Sequence, residues 1–271
     1  MIDLDAYFAR IGYDGPRTLT LATLGAVQLA HAQTIPFENL DPYLHRPVSV
    51  DLAAIQKKLV QGRRGGWCYE HNTLFSAALR QLGFNVRWLM ARVMWGAPPD
   101  APTARSHMVV LIESADGSLI ADVGFGGVTL TAPLRLEPDF EQRTPHEVFR
   151  FVQHRNTYTM QVKLKDGWNP VYRFDLSEHY LSDFEARSWY LSNFPGSHFL
   201  QNIMVAMPLP GRRIALLDNH FTIHHLDGRT ERQVLADADA VREVMAREFG
   251  LPVDAIPELD AALGRIVATK A

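Results

Sequence analysis

Cysteine is almost absent from this sequence, because Cys68 is the only one among 271 residues. A single thiol cannot form an internal disulfide, which excludes a disulfide framework and fits a reducing compartment. We therefore predict a cytoplasmic protein.

Long apolar runs and an excess of basic charge are also missing. The most apolar stretch, residues 203–209, contains Pro208 and is far shorter than the roughly 20 residues of a membrane-spanning helix. The formal net charge of -3 gives no basic footprint for nucleic acid. We expect neither a membrane nor a nucleic acid as a partner.

Signal-peptide features and flexible linkers are lacking as well. Residues 1–16 mix acidic and apolar side chains at helical spacing, so we expect them to belong to the fold. No Pro/Ser-rich linker or internal repeat separates the parts of the chain. A chain of this length buries roughly three quarters of its unfolded surface, which predicts a compact protein of two or three subdomains.

Helical patterns dominate the first third of the sequence. Asp3 precedes apolar residues at helical spacing and Gly12 follows them, which predicts a capped helix between the two. A second helical pattern follows Asp51. A third begins at or just before Cys68 and stops at Gly83.

From about Asn85 the sequence changes to short runs rich in valine, threonine and aromatic residues. The candidate strands are NVRWLMARVMW, HMVVLIE, SLIADVGF, FRFVQH, YTMQVKL and VYRFDL, with candidate turns at Asp116-Gly117 and Asp166-Gly167. This spacing predicts an antiparallel sheet or a small barrel.

Mixed signals characterise the end of the chain. Ser182 and Glu185 form a candidate capping box, which predicts a helix near this point. The strands RRIALLD and HFTIHHL are followed by helical patterns around residues 240–249 and 255–267. The last part is therefore expected to be a small α/β unit.

The stretch RGGWCYEHN, residues 64–72, gives Cys68 a distinctive setting. Gly65 and Gly66 permit a tight turn or a close backbone approach, and the helix that follows directs its positive end toward the sulfur. A thiol in that position is expected to ionise more readily, and the thiolate is the nucleophile. The alternative is a structural cysteine in a loop that enters a core helix.

A nucleophilic cysteine needs a base, and His107 and Asp122 are the candidates for a base and its orienting group. His107 opens one candidate strand and Asp122 ends the next, so both lie at the same end of a predicted hairpin. A two-residue turn at Asp116-Gly117 would pair Ala115 with Ser118 and place His107 opposite Gly126. Contact with Asp122 would then require a longer loop, a bulge or a diagonal arrangement. A hydrogen-bonded structural histidine is the alternative.

Other chemistries at these motifs find less support. A zinc site at Cys68 and His71 lacks the further ligands it would need. For Glu70 we expect a structural ion pair with Arg64 in preference to a role as general acid. The glycines of DVGFGG, residues 122–127, precede TLTAPL, where a dinucleotide-binding fingerprint requires a helix. A flexible loop at the mouth of a site is expected there.

Together these segments resemble the arylamine N-acetyltransferase family. RGGWCYE matches its Arg-Gly-Gly-x-Cys-x-Glu segment, SHM its strand-opening histidine, and DVGFG its aspartate motif. IPFENL, residues 35–40, resembles an upstream signature, and WYLSNFPGSHF, residues 189–199, a late one. The matches extend from about residue 35 to 225, without departure at the three reactive positions.

The resemblance implies an α+β fold of several subdomains. These are an N-terminal helical bundle (1–84) with Cys68, a central antiparallel β-barrel (85–190) with His107 and Asp122, and a C-terminal α/β lid (191–271). The catalytic core would be like that of cysteine proteases and transglutaminases, with the triad between the first two subdomains.

The resemblance also implies an acetyltransferase of xenobiotic metabolism. Acetyl-CoA would be the acetyl donor and co-substrate, no metal would take part, and arylamines, arylhydrazines or arylhydroxylamines would be acceptors. A ping-pong cycle through acetyl-Cys68 is expected, in which Asp122 orients His107.

Pocket residues follow from the same resemblance. Phe37, Tyr69, Phe125 and Phe199 are the candidates for the acceptor pocket, and their alternative is an ordinary role as core aromatics. The candidates for coenzyme A contacts are Thr103, Gly126 and Ser197.

Two competing functions use the same residues. A transglutaminase-like or papain-like cysteine amidohydrolase has the same three reactive residues, although IPFENL and DVGFG favour acetyl transfer. A binding protein with a relic site would have a Cys68 of ordinary or suppressed reactivity.

Overall fold

The computed structural model describes residues 1–98 and 101–270. The helices are α1 (Leu4–Ile11), α2 (Leu21–Thr34), α3 (Leu40–Tyr43), α4 (Leu52–Gln56), α5 (Cys68–Gln81), α6 (Leu181–Asn193), α7 (His198–Gln201), α8 (Ala238–Arg247) and α9 (Leu259–Lys270). The strands are β1 (Phe37–Glu38), β2 (Asn85–Val93), β3 (Arg105–Ser114), β4 (Gly117–Ala121), β5 (Leu134–Arg135), β6 (Gln142–Arg143), β7 (Val148–His154), β8 (Thr157–Leu164), β9 (Gly167–Asp175), β10 (Met204–Leu209), β11 (Arg212–Leu217), β12 (His220–His225) and β13 (Thr230–Val234). A π-helical turn, Lys57–Gln61, continues α4, and a 3-10 turn, Val253–Ala255, precedes α9.

The predicted N-terminal helices are confirmed by their ends. The Asp3 side chain caps α1 by accepting a hydrogen bond from the Ala6 amide, and Gly12 ends it with a φ of 67° in the left-handed region. Asp51 caps α4 in the same way. Helix α5 begins at Cys68, as predicted.

Helix α2 was not predicted from the sequence. Its buried stripe contains the polar residues Gln28 and His31 beside Leu24 and Val27. Because polar residues interrupt the stripe, the apolar periodicity that identifies an amphipathic helix is weak here.

The central strands form an antiparallel sheet of eight strands in the order β5-β4-β3-β2-β9-β8-β7-β6. The edge strands β5 and β6 meet through the Gln142 side chain, whose oxygen accepts from the Arg135 amide at 2.7 Å and whose nitrogen donates to the Arg135 carbonyl at 2.9 Å. A side-chain amide thus replaces one step of a backbone ladder. The sheet curls into a nearly closed barrel, which confirms the predicted architecture.

The register of the β3–β4 hairpin differs from the predicted one. Ser114 pairs with Gly117, so the loop residues are Ala115 and Asp116. Gly117 has a φ of 111°, a conformation that glycine adopts at little cost, and it opens β4 instead of lying inside the turn. The prediction that Ala115 pairs with Ser118 was therefore wrong. The strand also ends at Ala121, one residue before Asp122.

A second antiparallel sheet has the order β1-β10-β11-β12-β13. Its first strand comes from the N-terminal part of the chain, where Phe37 pairs with Ala206 of β10. The sheet and helices α8 and α9 share one apolar core, which includes Ile214, Val241 and Leu263. The C-terminal unit is therefore of mixed α/β type, as predicted.

The subdomain boundaries at 84–85 and 190–191 remain predictions. The strands from β2 to β9 all lie between Asn85 and Asp175, whereas the boundary at 190–191 falls inside α6. Ala271, the last residue of the predicted lid, lies outside the described residues.

Across the described residues, no helix has both the length and the apolar character needed to cross a membrane.

Candidate active site

Cys68 is the first residue of α5, and only 7% of its surface is exposed. The start of the helix is closed by Glu70, whose carboxylate accepts a hydrogen bond from the Trp67 amide at 3.1 Å. A Cβ atom at Gly66 would lie 2.6 Å from that carboxylate oxygen, so a larger residue at this position would have to displace the Glu70 side chain. The first amides of a helix have no partner within it, and their dipoles favour negative charge at Cys68.

Two other glycines of the motifs let neighbouring segments approach the start of α5 closely. A Cβ atom at Gly65 would lie 2.1 Å from the Pro36 carbonyl oxygen, and one at Gly124 would lie 2.7 Å from the Cys68 Cα. The DVGFGG segment therefore packs against the start of α5. Of its glycines, Gly124 allows this contact with Cys68, whereas a Cβ atom at Gly126 would lie 3.3 Å from the Phe37 ring.

A network of buried ion pairs stabilises the glycine turn before Cys68. Lys58 Nζ lies 2.6 Å from Asp41 Oδ2 and 2.8 Å from Glu70 Oε1. Arg64 Nη2 lies 2.7 Å from Glu38 Oε1 and 3.1 Å from Asp41 Oδ1. The predicted pair of Arg64 with Glu70 was wrong, because Glu70 pairs with Lys58, which lies in the π-helical turn after α4. The network explains why IPFENL and RGG occur together.

Burial and charge compete within this network. Burial raises the pKa of Glu70 above its usual value, and the nearby Lys58 ammonium opposes that rise only in part. Burial alone would lower the pKa of Lys58, but the carboxylates of Glu70, Glu38 and Asp41 raise it above its usual range. The ammonium therefore stays charged at neutral pH.

His107 and Asp122 form a buried pair beside Cys68. His107 Nε2 lies 2.7 Å from Asp122 Oδ2, and the exposed fractions of the two residues are 3% and 0%. Burial alone would lower the pKa of His107, but the charge and hydrogen bond of Asp122, with smaller contributions from Cys68, raise it to about 10. The imidazole is therefore cationic at neutral pH.

The remaining ring nitrogen of His107 is available to the thiol. Because Nε2 is bound to Asp122, Nδ1 is the ring nitrogen that is left to interact with the Cys68 side chain. Cys68 Sγ also lies 4.0 Å from the Ser106 carbonyl oxygen. A thiol, an imidazole and a carboxylate are thus brought together, and such a set can hold a thiolate beside an imidazolium.

The second oxygen of Asp122 is held by two donors. Oδ1 accepts from Asn72 Nδ2 and from the Gly124 amide, each at 2.9 Å. The Asn72 amide also donates to the Met108 carbonyl at 2.8 Å and accepts from the Val123 amide at 3.1 Å. Asn72 therefore fixes the carboxylate relative to both strands of the hairpin.

Two aromatic rings enclose the imidazole of His107. The ring of Phe125 meets it edge-on with centroids 5.1 Å apart, and the ring of Tyr172 lies at the same distance. Burial and the nearby Asp122 charge raise the pKa of Tyr172 well above its usual value. The Tyr172 hydroxyl faces Asp122 without completing a hydrogen bond of ordinary geometry within the described residues.

A cavity of about 430 Å³ opens at Cys68 and His107. Its lining includes Phe37, Phe125 and Phe199, which were predicted for the acceptor pocket, and Gly126, which was predicted for a coenzyme A contact. Most of the remaining wall is apolar, with Trp95, Leu191, Met204 and Ala206 among its members. A cavity of this size and character suits a small aromatic ligand.

Three predicted contact residues lie away from the lining of this cavity. Tyr69 is fully buried, and its hydroxyl donates to the Ser106 carbonyl at 2.9 Å. Thr103 is half-buried, and its hydroxyl faces the Met94 sulfur at 3.7 Å. Ser197 is buried, and its hydroxyl has no hydrogen-bond partner among residues 1–98 and 101–270. Their predicted roles remain predictions.

Sequence reasoning missed Asn72, Tyr172 and Trp95. Asn72 lies one helical turn after Cys68, inside the stretch that was singled out, so its spacing was a usable signal. Tyr172 and Trp95 lie in ordinary strand patterns, and nothing in those patterns indicates proximity to His107.

The described ranges 1–98 and 101–270 contain no group of three or more histidine, cysteine, aspartate or glutamate side chains able to hold a metal ion.

Comparison with known proteins gives a consistent result. A family model described as N-acetyltransferase matches residues 20–258. An arylamine N-acetyltransferase of Escherichia coli is 42% identical over 252 residues, which cover 93% of this chain and 89% of the relative. An arylamine N-acetyltransferase / N-hydroxyarylamine O-acetyltransferase of Salmonella typhimurium is 38% identical and is covered to 95%, with 98% of this chain aligned.

A solved structure shows the same fold. The structure of the Mycobacterium marinum arylamine N-acetyltransferase in complex with CoA superimposes with a TM-score of 0.94 at 39% identity, covering 97% of this chain and 99% of that one.

Proposed function

The chain belongs to the arylamine N-acetyltransferase family, and from that premise we propose that it carries the acetyl group of acetyl-CoA to aromatic amines by way of acetyl-Cys68. The acceptors are arylamines and arylhydrazines, acetylated on nitrogen, and arylhydroxylamines, acetylated on oxygen. The names of the relatives and the CoA complex of one of them support the substrate classes. The observation that carries the mechanism is the His107–Asp122 pair, buried beside Cys68 at an apolar cavity.

In the first half-reaction the Cys68 thiolate attacks the thioester carbonyl carbon of acetyl-CoA. A bond forms between Sγ and that carbon, and the bond between the carbon and the sulfur of coenzyme A breaks. The departing thiolate takes the proton of the His107 imidazolium, so free coenzyme A leaves and His107 becomes neutral. Asp122 holds the imidazole in orientation and stabilises its charge before this transfer.

In the second half-reaction the amine nitrogen attacks the carbonyl carbon of acetyl-Cys68. The bond from carbon to Sγ breaks, and neutral His107 accepts the proton that the amine loses. The products are the acetylated amine and the original pair of thiolate and imidazolium. Atoms and charges balance over this ping-pong cycle.

Water competes with the amine for acetyl-Cys68, so the cavity has to favour aromatic acceptors. Phe37, Phe125 and Phe199 supply apolar walls around the thiol. An apolar, partly enclosed site disfavours hydrolysis and stabilises an aromatic ring by burial. We assign these three residues to acceptor binding, and Tyr69, which lies outside the cavity lining, is proposed for the same pocket from the family resemblance alone.

Coenzyme A contacts are proposed at Gly126, Ser197 and Thr103. Gly126 has a φ of 90° and lines the cavity, so its backbone is open to a ligand. A buried hydroxyl at Ser197 that lacks a partner among the described residues supports a ligand contact there. Thr103 rests on family resemblance alone. A cytoplasmic location is proposed from the single cysteine.

Intact-protein mass spectrometry tests the proposal directly. The protein is mixed briefly with acetyl-CoA in the absence of amine, and an aniline or a hydrazide is then added. We expect a gain of one acetyl group on Cys68 and its loss when the amine arrives. Absence of the adduct, although a small alkylating agent labels Cys68, would refute acetyl transfer. Hydrolysis or cross-linking of a glutamine peptide would then indicate the amidohydrolase.

A further inference from the structure

A hydrogen-bonded chain of three buried side chains ends at His71, which lies on α5 three residues after Cys68. Tyr7, His31 and His71 are each 0% exposed. The Tyr7 hydroxyl lies 2.8 Å from His31 Nδ1, and His31 Nε2 lies 2.9 Å from His71 Nδ1. The chain ends where His71 Nε2 lies 3.1 Å from the Pro36 carbonyl oxygen.

The carbonyl at the end fixes the direction of every bond in the chain. A carbonyl oxygen only accepts, so His71 Nε2 carries a proton and donates to Pro36. Burial lowers the pKa of His71 to about 4 and that of His31 well below its usual value, so both rings are neutral at pH 7. His71 Nδ1 then accepts from His31 Nε2, and His31 Nδ1 accepts from the Tyr7 hydroxyl. Each imidazole is confined to one tautomer.

This hydrogen-bonded chain ends at the Pro36 carbonyl, in the peptide that precedes the cavity residue Phe37. The Pro36 carbonyl also accepts from the Gly66 amide at 3.3 Å, within the glycine turn that precedes Cys68. The next residue, Phe37, lines the cavity and pairs with Ala206, which lines it too. His71 is therefore bonded to the peptide that places one wall of the acceptor cavity.

We propose that His71 is a positioning residue for acetyl transfer: held in one tautomer by His31 and Tyr7, it fixes the Pro36 carbonyl and thereby the position of Phe37. The inference rests on the proposed function. This series of side chains does not conduct protons, because the backbone carbonyl at its end carries no proton and does not become protonated at neutral pH. Its effect is on the binding of the acceptor, with a smaller effect on acetylation of Cys68.

Two substitutions separate hydrogen bonding from packing at this position. His71→Phe keeps a planar apolar ring but loses the donor to Pro36 and the acceptor for His31. His71→Gln keeps an amide donor and an amide oxygen in similar places. His146→Phe is the matched control, since His146 Nε2 lies 2.9 Å from the Leu209 carbonyl and the residue lies outside the cavity lining.

We measure the rate of Cys68 acetylation and the acceptor KM separately. For His71→Phe we expect the acceptor KM to rise on the order of tenfold, with acetylation changed less than about threefold. His71→Gln should restore the KM to within about threefold of the wild-type value, and His146→Phe should lower thermal stability without changing the KM. An unchanged KM in His71→Phe, or a Gln variant as impaired as the Phe variant, would overturn the proposal.

Nitrogen NMR of the imidazole rings in the wild-type protein gives a test that needs neither a folded variant nor activity. At pH 7 we expect both His31 and His71 as neutral rings protonated on Nε2. A His71 ring protonated on Nδ1, or a cationic one, would overturn the proposal. Failure of the wild-type protein to form acetyl-Cys68 would instead refute the proposed function, so the two failures are distinguishable.

Discussion

The imidazole of His107 and the carboxylate of Asp122 meet across a diagonal of the β3–β4 hairpin. The ladder pairs Val110 with Ala121, so its continuation places Asp122 opposite Val109, two residues from His107 on the same face. The Nε2–Oδ2 distance of 2.7 Å is reached because Asp122 lies just past the end of β4, free of the ladder. This pairing through Nε2 leaves Nδ1 as the ring nitrogen available to Cys68.

Asp122→Asn should inactivate the enzyme and destabilise the protein. The amide removes the charge that keeps His107 protonated, so the pKa of His107 falls and the imidazolium is lost at neutral pH. We expect kcat to fall on the order of 10⁴-fold. Loss of one partner of a buried pair should lower the free energy of unfolding by about 3–5 kcal/mol. Steady-state kinetics and urea unfolding measure the two effects.

The control for this variant is Asp116→Asn, an exposed aspartate in the turn of the same hairpin. It should leave both quantities unchanged. Normal thermal stability in Asp122→Asn would contradict the structural half of the prediction.

Cys68→Ala should abolish acetylation while the fold persists. Apart from its interaction with His107, the sulfur makes a long contact of 4.0 Å with the Ser106 carbonyl, so its removal should cost about 1 kcal/mol of unfolding free energy. Mass spectrometry after mixing with acetyl-CoA should show no adduct, and circular dichroism should be unchanged. Retained acetyl transfer in Cys68→Ala would contradict the proposed mechanism.

Asn72→Ala should weaken the site through Asp122. The substitution removes one of the two donors to Oδ1 and leaves the Met108 carbonyl and Val123 amide without this partner. We expect a loss of about 1–3 kcal/mol in unfolding free energy and a fall in kcat on the order of tenfold or more.

Asn169→Ala is the comparison for Asn72, because within residues 1–98 and 101–270 the Asn169 amide donates only within its own turn, to Asp166 and Gly167. It should change neither quantity by much. Equal effects of the two substitutions would contradict a positioning role of Asn72.

The features of the site that sequence reasoning located are those whose signal is local in sequence. Helix α5 begins at Cys68 because Gly65 and Gly66 precede a regular apolar stripe, and both features lie within one short segment. The proximity of Cys68, His107 and Asp122 followed from such segments together with a family resemblance, and their catalytic roles stay predictions. The barrel followed from the alternation and turn residues of successive strands.

What escaped prediction depends on packing between segments far apart in the chain. Lys58 displaces Arg64 as the partner of Glu70, and only the approach of the turn after α4 to α5 makes that visible. The register of the β3–β4 hairpin depended on whether Gly117 lies in the turn or opens the strand, and both placements suit glycine. Tyr172 reaches His107 across β2, a distance that no sequence pattern encodes.

Lys58→Met should destabilise the protein strongly. The substitution leaves the buried carboxylates of Glu70 and Asp41 without the ammonium that pairs with both. Breaking a buried ion pair from one side should cost about 3–5 kcal/mol of unfolding free energy, measured by urea denaturation. Lys163→Met, which breaks an exposed pair with Glu141, should cost about 0–1 kcal/mol. Similar losses in the two variants would show that the Lys58 network contributes no more than a surface pair.

The stability of the protein should reach a maximum near pH 6.5, because two sets of histidines act in opposite directions. His107 has an ordinary pKa of 6.5 when unfolded and about 10 when folded, so between these values the folded protein retains a proton that the unfolded chain has released. Stability from this group is complete below pH 6.5 and is lost as the pH rises toward 10.

His71 and His31 act with the opposite sign. Burial lowers the pKa of His71 to about 4 and that of His31 well below 6.5, so between pH 6.5 and 4 the unfolded chain takes up protons that the folded protein excludes. Stability is therefore lost as the pH falls through this window. The half-buried His146 and His198, whose pKa values are also lowered by burial, add to the same slope. Glu70, whose pKa burial raises, opposes it in part.

Urea unfolding between pH 5 and 9 measures both limbs, and two variants assign them. Asp122→Asn should flatten the alkaline limb, since the pKa of His107 then lies close to its unfolded value or below, and should leave the acid limb intact. His71→Gln should reduce the acid limb and leave the alkaline limb unchanged. An alkaline limb that stays equally steep in Asp122→Asn would show that the pair of His107 and Asp122 does not hold a proton into the alkaline range, and the imidazolium assigned to the first half-reaction would have to be abandoned.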